Sequence, residues 1–296
     1  MDIYWLGLLL GIASGISHYL GVVIEKLIIN RLPPNVKLMK SLVKTPLWLF
    51  ALILRFGVGT LFFMLAQTII GPALVPGLMA CGLIVLAICS VKIIGEKLTL
   101  IEIISIFLLI LAITFFGFSQ FSIEMFNFDL INFGFIIRMT IFTLILAIIT
   151  VFLLFMQRKI INHRAILLSL ISGVLFSLSN FWVSPLMGVI TSVFSGSFSI
   201  GELIIFLISA SILVITNIFA ISSMASALRY GNASNLIPIQ TLPIQITPSI
   251  VYFYVFQEFP SQLISIFLYV VAITFVLISS FVFGKKQAQI DELNSY

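Results

Sequence analysis

ISIFLLILAITF at residues 104–115 returns as ISIFLYVVAITF at residues 264–275, with nine of the twelve positions identical. A glutamate precedes each copy, Glu96 and Glu258, and a proline lies twenty residues before each glutamate, Pro76 and Pro238. Two homologous halves account for this correspondence. The surrounding chain is 61 % hydrophobic and 8 % charged, with 29 Phe in 296 residues, and its mean hydropathy is +1.27. Too few polar groups are present to cover a water-soluble globule, so the chain reads as an integral membrane protein. Strand-type alternation is absent, which sets aside an outer-membrane barrel.

Charge-free runs meet or approach the ~20 apolar residues of a spanning helix. They predict nine helices, at residues 4–24, 46–70, 72–94, 99–118, 136–157, 165–186, 201–226, 232–256 and 261–283. The first has Asp2 rather than a basic region before it, and Ile24-Glu25-Lys26 after it offers no small-residue cleavage site, so it reads as a retained helix. An N-out, C-in orientation puts thirteen of the fifteen basic residues on the inner side: Lys26, Arg31, Lys37, Lys40, Lys44, Lys92, Lys97, Arg158, Lys159, Arg164, Arg229, Lys285 and Lys286. The positive-inside tendency favours that orientation over its reverse. It also puts Glu124 and Asp129, in the aromatic stretch 117–135, outside, where Phe side chains suit the headgroup level.

The two copies fall in the fourth and ninth predicted helices, an odd number of crossings apart, so the halves are inverted. The expected fold is an all-α polytopic membrane protein of about nine helices in two inverted repeats (4+1+4). Residues 1–118 form the first repeat, 119–157 a connection and linking helix, 158–284 the second repeat, and 285–296 a short cytoplasmic tail. Such halves are a common build of secondary carriers, with the solute site between them near the bilayer midplane.

Other classes fit less well. The basic residues are scattered in short loops without interleaved aromatics, so no nucleic acid is expected as a partner. Cys81 and Cys89 share one predicted helix with no further Cys or His at ligand spacing, and read as packing residues. No paired Asp and no HExxH motif occurs, the Ser195-Gly196-Ser197 loop reads as a connection, and neither catalytic residues nor a cofactor are expected.

Several residues are candidates for solute chemistry. Pro72 and Pro76 interrupt the third predicted helix; Pro238, Pro243 and Pro248 interrupt the eighth. Each frees a carbonyl that lipid cannot satisfy, and paired breaks in corresponding segments point to a site, with Pro72, Pro76, Pro238 and Pro243 as the expected breaks or gates. Arg55 lies about nine residues into the second helix, ~13 Å from its inner edge. Either it snorkels to the interface and pairs with Glu25 or a lipid phosphate, or it holds an anionic group with His18 beside it. Of the uncharged polar residues, Gln67, Asn180, Asn217 and Gln240 are expected to reach a central cavity. Glu25, Glu96, Glu102, Glu202 and Glu258 all lie near predicted helix ends. A midplane site of amides and carbonyls alone suits Mg²⁺ poorly, and no metal site is expected.

The Gly95-Glu96-Lys97-Leu98-Thr99 junction and ALRYGNASNLIPI at 227–239 leading to Glu258 resemble the drug/metabolite transporter superfamily, EamA-like in kind. The helix count and the segment from Trp48 through Gly57-Val58-Gly59 to Pro72-Ala73-Leu74-Val75-Pro76 are most similar to its NIPA-type magnesium transporter branch. The chain departs from that branch at Thr60, where the pattern has an acid, and larger members of the superfamily have ten helices. The resemblance implies a carrier with inverted repeats and a central cavity that works by alternating access; the residues themselves put Arg55, His18, Gln67, Asn180, Asn217 and Gln240 on the solute. The expected solute is an anionic or zwitterionic metabolite or drug-like compound; a NIPA-like divalent cation carrier and a non-transporting scaffold or subunit are the alternatives. The expected partners are that solute or ion and the lipid bilayer of the cell membrane, with a homodimer as a further option.

Overall fold

The first copy of the repeated segment folds as a helix that opens on a reciprocal cap. The Thr99 hydroxyl accepts from the Glu102 N–H at 3.3 Å, and a Glu102 carboxylate oxygen accepts from the Thr99 N–H at 2.7 Å. Ser199 and Glu202 repeat this Ser/Thr-x-x-Glu arrangement further along the chain, with the Ser199 N–H on Glu202 at 2.6 Å. Such caps satisfy N–H groups that a bilayer cannot hydrate.

The computed structural model describes residues 3–30, 45–94, 99–123, 129–160, 163–227, 230, 233–260 and 262–293, and all regular structure among them is helical. The elements are α1 (Ile3–Asn30), α2 (Pro46–Ile70), α3 (Val75–Met79), α4 (Gly82–Ile94), α5 (Leu100–Ser119), α6 (Phe133–Lys159), α7 (Arg164–Ser195), α8 (Ile200–Ala227), α9 (Ala233–Ile250) and α10 (Leu263–Leu293). Seven of them, α1, α2, α5, α6, α7, α8 and α10, are long and apolar enough to cross a bilayer. Large apolar side chains such as Phe107, Ile148, Val151, Phe219 and Phe267 lie exposed along them. The chain is a multi-pass membrane protein.

α7 is the central helix: 67 % of its span is buried, against 22–33 % in the other six. It packs on α8, α9, α6 and α2, while α1 packs on α2, α3 and α4. The two repeated segments meet each other, because α5 packs on α10. The Ser279 hydroxyl donates to the Ser105 carbonyl at 3.0 Å, and further along α5 the Phe116 ring meets Tyr269 edge-on at 5.7 Å. Contacts that advance along α5 while retreating along α10 make the pair antiparallel. Phe115 and Phe275, the last residues of the two copies, lie 6.0 Å apart.

Two further contacts recur. The Ser14 hydroxyl of α1 donates to the Gly59 carbonyl of α2 at 2.8 Å, and the Ser172 hydroxyl of α7 donates to the Ala220 carbonyl of α8 at 2.8 Å. The next residue in each case is a glycine at a helix crossing. Gly15 lies against the Met79 backbone and Gly173 against the Gln240 backbone, so close that a methyl group on either would overlap the facing carbonyl.

The structure revises three local expectations. The helix predicted at 72–94 is instead a turn, the short α3 and then α4. Gly71 turns the chain at φ +73°, and Pro76 sits in the first turn of α3, where its missing N–H costs nothing. The segment predicted at 232–256 stays helical through its prolines as α9 and continues into a π-helical turn at Val251–Val255. Phe121, expected at headgroup level, is fully buried. It stacks on Tyr269 at 4.1 Å and on Tyr252 at 4.6 Å. Around it the Tyr269 hydroxyl donates to the Ala73 carbonyl at 3.1 Å, and Arg138 Nε donates to the Val255 carbonyl at 2.8 Å. Tyr4 donates to the carbonyls of Phe116 and Gly117 at the same end of the bundle.

The junction at Glu96 and Lys97, the loop acids and bases Glu124, Arg31, Lys37, Lys40, Lys44 and Arg229, and the side chains of Glu25, Lys26, Lys92, Lys285 and Lys286 lie outside the described residues. The roles expected of them in pairing and orientation lie there too.

Candidate functional site

The packing of α1–α4 against α7–α10 leaves a cavity of about 640 Å³. α2 enters it by way of a π-helical turn, Ile53–Val58, that comes after the first two turns of the helix. A π-turn inserts one residue into the helical register and so re-aims the side chains beyond it; such turns are frequent at functional sites. Here Phe56, Gly59, Thr60 and Phe63 reach the wall. α1 contributes His18 and Tyr19, α3 contributes Pro76, α7 contributes Phe176, Ser179 and Asn180, and α8 contributes Asn217. Thr241 and Gln245 of α9 and Ser280 of α10 complete the polar part.

Of the six residues expected on the solute, three line this cavity: His18, Asn180 and Asn217. His18 stands edge-on to Tyr19, with ring centroids 5.3 Å apart. Asn217 Nδ2 donates to the Ser179 hydroxyl at 2.6 Å and to the Leu213 carbonyl at 2.8 Å, which fixes its orientation. Gln67 and Gln240 are clasps between helices instead. Gln67 is fully buried; its Nε2 donates to the Asn180 carbonyl at 3.2 Å, and its oxygen accepts from the Ser184 hydroxyl at 2.8 Å. It ties α2 to α7. Gln240 Nε2 donates to the Ser172 hydroxyl at 2.8 Å, which joins α9 to the Ser172 contact between α7 and α8.

Arg55 sits within the π-turn, facing α1. Its guanidinium lies over the Phe56 ring at 4.7 Å, and Gly21 packs on its Cβ. It is not a lining residue, though it lies within electrostatic range of His18 and Tyr19. Pro72, Pro76 and Pro248 surround a cleft of about 10 Å³ between α7 and α9 beside the main cavity. Pro243 packs where α7 and α9 cross, within reach of a methyl group at Gly173; Pro238 lies within α9.

Phe56, Phe63, Phe176, Thr60 and Gln245 were not among the expected site residues. The aromatic ones carry no sequence signal in a chain with 29 Phe. Gln245 carries one, a carboxamide between two prolines, Pro243 and Pro248, in an apolar helix. Among the described residues no Asp, Glu, Lys or Arg lines the cavity, and no three His, Cys, Asp or Glu side chains lie together. The chain matches no protein-family model, no curated protein and no solved structure.

Proposed function

We propose that the chain is a carrier that binds a small organic solute in this cavity and passes it across the cell membrane as two inverted halves rock against each other. The observation that carries the reading is the position of the cavity: α1–α3 and α7–α9 both supply its wall, so relative motion of the halves would change access to it. Three features support two related halves. α5 and α10 are antiparallel and share a sequence, a serine of α1 and of α7 holds the next helix, and a glycine beside each serine faces the third segment of its half. The resemblance to the drug/metabolite transporter superfamily points the same way.

A NIPA-like divalent cation carrier is the second reading within this class. The cavity wall argues against it, since a hard dication prefers several carboxylate oxygens and the described lining offers none. A non-transporting scaffold or subunit is the competing class.

Purified protein in liposomes loaded with a mixture of low-mass metabolites tests all three. Saturable, protein-dependent efflux of a chemically related subset is the expected result. Uptake of Mg²⁺ alone, read with an internal indicator under an inside-negative potential, would establish the cation reading. A folded preparation that moves neither would leave the scaffold.

A further inference from the structure

We infer that the solute is an uncharged, flat aromatic molecule with an amide-like edge, the class that includes aromatic amides and lactams. The inference rests on the carrier reading of the cavity and names what the cavity selects.

The volume, about 640 Å³, lies within the range of pockets for small organic ligands. Its wall has two chemical characters. Phe56, Phe63 and Phe176 supply rings that a flat apolar body can stack on or meet edge-on. Carboxamides supply the other: Asn180, Asn217 and Gln245 all line it. Asn217 spends its N–H groups on Ser179 and Leu213, which leaves its carbonyl oxygen for an occupant. The side chains of Asn180 and Gln245 take no hydrogen bond from another described residue, so each retains an acceptor and two donors. A carboxamide pairs best with a group that offers a donor and an acceptor side by side, as an amide or lactam does.

Charge decides between this class and its ionised relatives. A carboxylate or ammonium entering the cavity leaves water for a wall with no Asp, Glu, Lys or Arg among its described residues. An ion moved from water without a counter-charge loses more solvation than amides restore. The Arg55 guanidinium, over Phe56 and facing α1, is not on the wall and acts on it only at a distance, through His18 and Tyr19. The anionic solute expected from the sequence therefore gives way to a neutral one.

Three probes share one ring and differ in charge: indole-3-acetamide, indole-3-acetate and tryptamine. Equilibrium dialysis of each labelled probe against the detergent-solubilised full chain measures binding directly. The amide is expected to bind saturably and at least about tenfold tighter than either ion. Gln245→Leu, which removes no hydrogen bond within the described protein, is expected to weaken amide binding roughly tenfold without changing thermal unfolding. Equal or tighter binding of the carboxylate or the ammonium overturns the inference. So does an absence of amide binding by folded protein. Flux in proteoliposomes separates this from the carrier reading. Amide binding that never yields protein-dependent counterflow would remove the carrier and leave the solute class standing, whereas counterflow of the anion without amide binding would do the reverse.

Discussion

Gly15→Ala and Gly173→Ala should each destabilise the protein, although alanine is the better helix former. At Gly15 the new methyl would lie 2.8 Å from the carbonyl carbon and the Cα of Met79, and nearer still to the oxygen. At Gly173 it would meet the Gln240 carbonyl and lie 3.1 Å from Pro243 Cγ. Both obstacles include backbone, so no rotamer change relieves them, and the helices must part by several tenths of an ångström up to about 1 Å. Overpacking of this kind costs about 1–3 kcal/mol. The gap opened along the crossing forfeits about a quarter to a half of the dispersion attraction there. Against this stands a propensity gain of at most about 1 kcal/mol. The dispersion loss keeps the balance on the destabilising side, and the net expectation is a loss of up to about 2–3 kcal/mol for each variant. Gly57→Ala is the internal control, since the nearest atom to its methyl is Ile53 Cγ2 at 3.5 Å; it should be neutral to about 1 kcal/mol stabilising. Reversible unfolding in mixed detergent and dodecyl sulfate micelles, monitored by far-ultraviolet circular dichroism, reads all three. Gly15→Ala and Gly173→Ala variants as stable as Gly57→Ala would refute the close crossings.

Gln67→Leu and Ser184→Ala should be coupled in a double-mutant cycle by about 0.6–1.7 kcal/mol, the range of hydrogen bonds between membrane helices; strict additivity would show that the Ser184–Gln67 bond of the clasp contributes nothing. Tyr269→Phe should cost about 1–3 kcal/mol, because the buried Ala73 carbonyl loses its donor while the stack on Phe121 survives; unfolding in the same micelles checks it. Thr99→Ala should cost about 1 kcal/mol through the loss of the cap on α5, and Thr99→Ser should retain most of it. Arg55→Leu should reduce transport of whatever solute the liposome assay identifies, acting through the π-turn and His18, while membrane insertion and solute affinity stay within a few-fold; an abolished affinity would place Arg55 on the solute after all.

The repeated segments made one helix pairing legible from sequence. Identical residues at 104–115 and 264–275 located two helices that turn out to pack antiparallel, and apolar runs set α2 and α5 to within a residue. The prolines misled in one respect. A proline disrupts a helix only where its missing N–H and its ring cannot be accommodated, and the sequence does not say which neighbours are at hand; α9 runs through three prolines while Gly71 turns the chain before α3. Ser14-Gly15 and Ser172-Gly173 were readable as a second matched pair, 158 positions apart, because serine and glycine at a helix crossing allow both a hydrogen bond and close approach. The separation of lining residues from clasps was not readable. Gln67 and Gln245 are the same residue type in equally apolar surroundings, and only the helix facing each decides that one holds α7 and the other meets the cavity.

Phe121 has a further consequence, for the order in which the molecule is assembled. Its ring partners, Tyr252 and Tyr269, come after it by about 130 and 150 residues, and α5 finds its principal neighbour in α10, which is made later still. At a synthesis rate of ~5–20 residues per second, the notch around Phe121 waits roughly 7–30 seconds for the rings that fill it. During that interval the face of α5 that α10 later covers is held only by lipid or by the insertion machinery. A ribosome that stalls before residue 252 would leave a membrane-embedded but unfinished bundle, recognisable to quality control by that open aromatic notch.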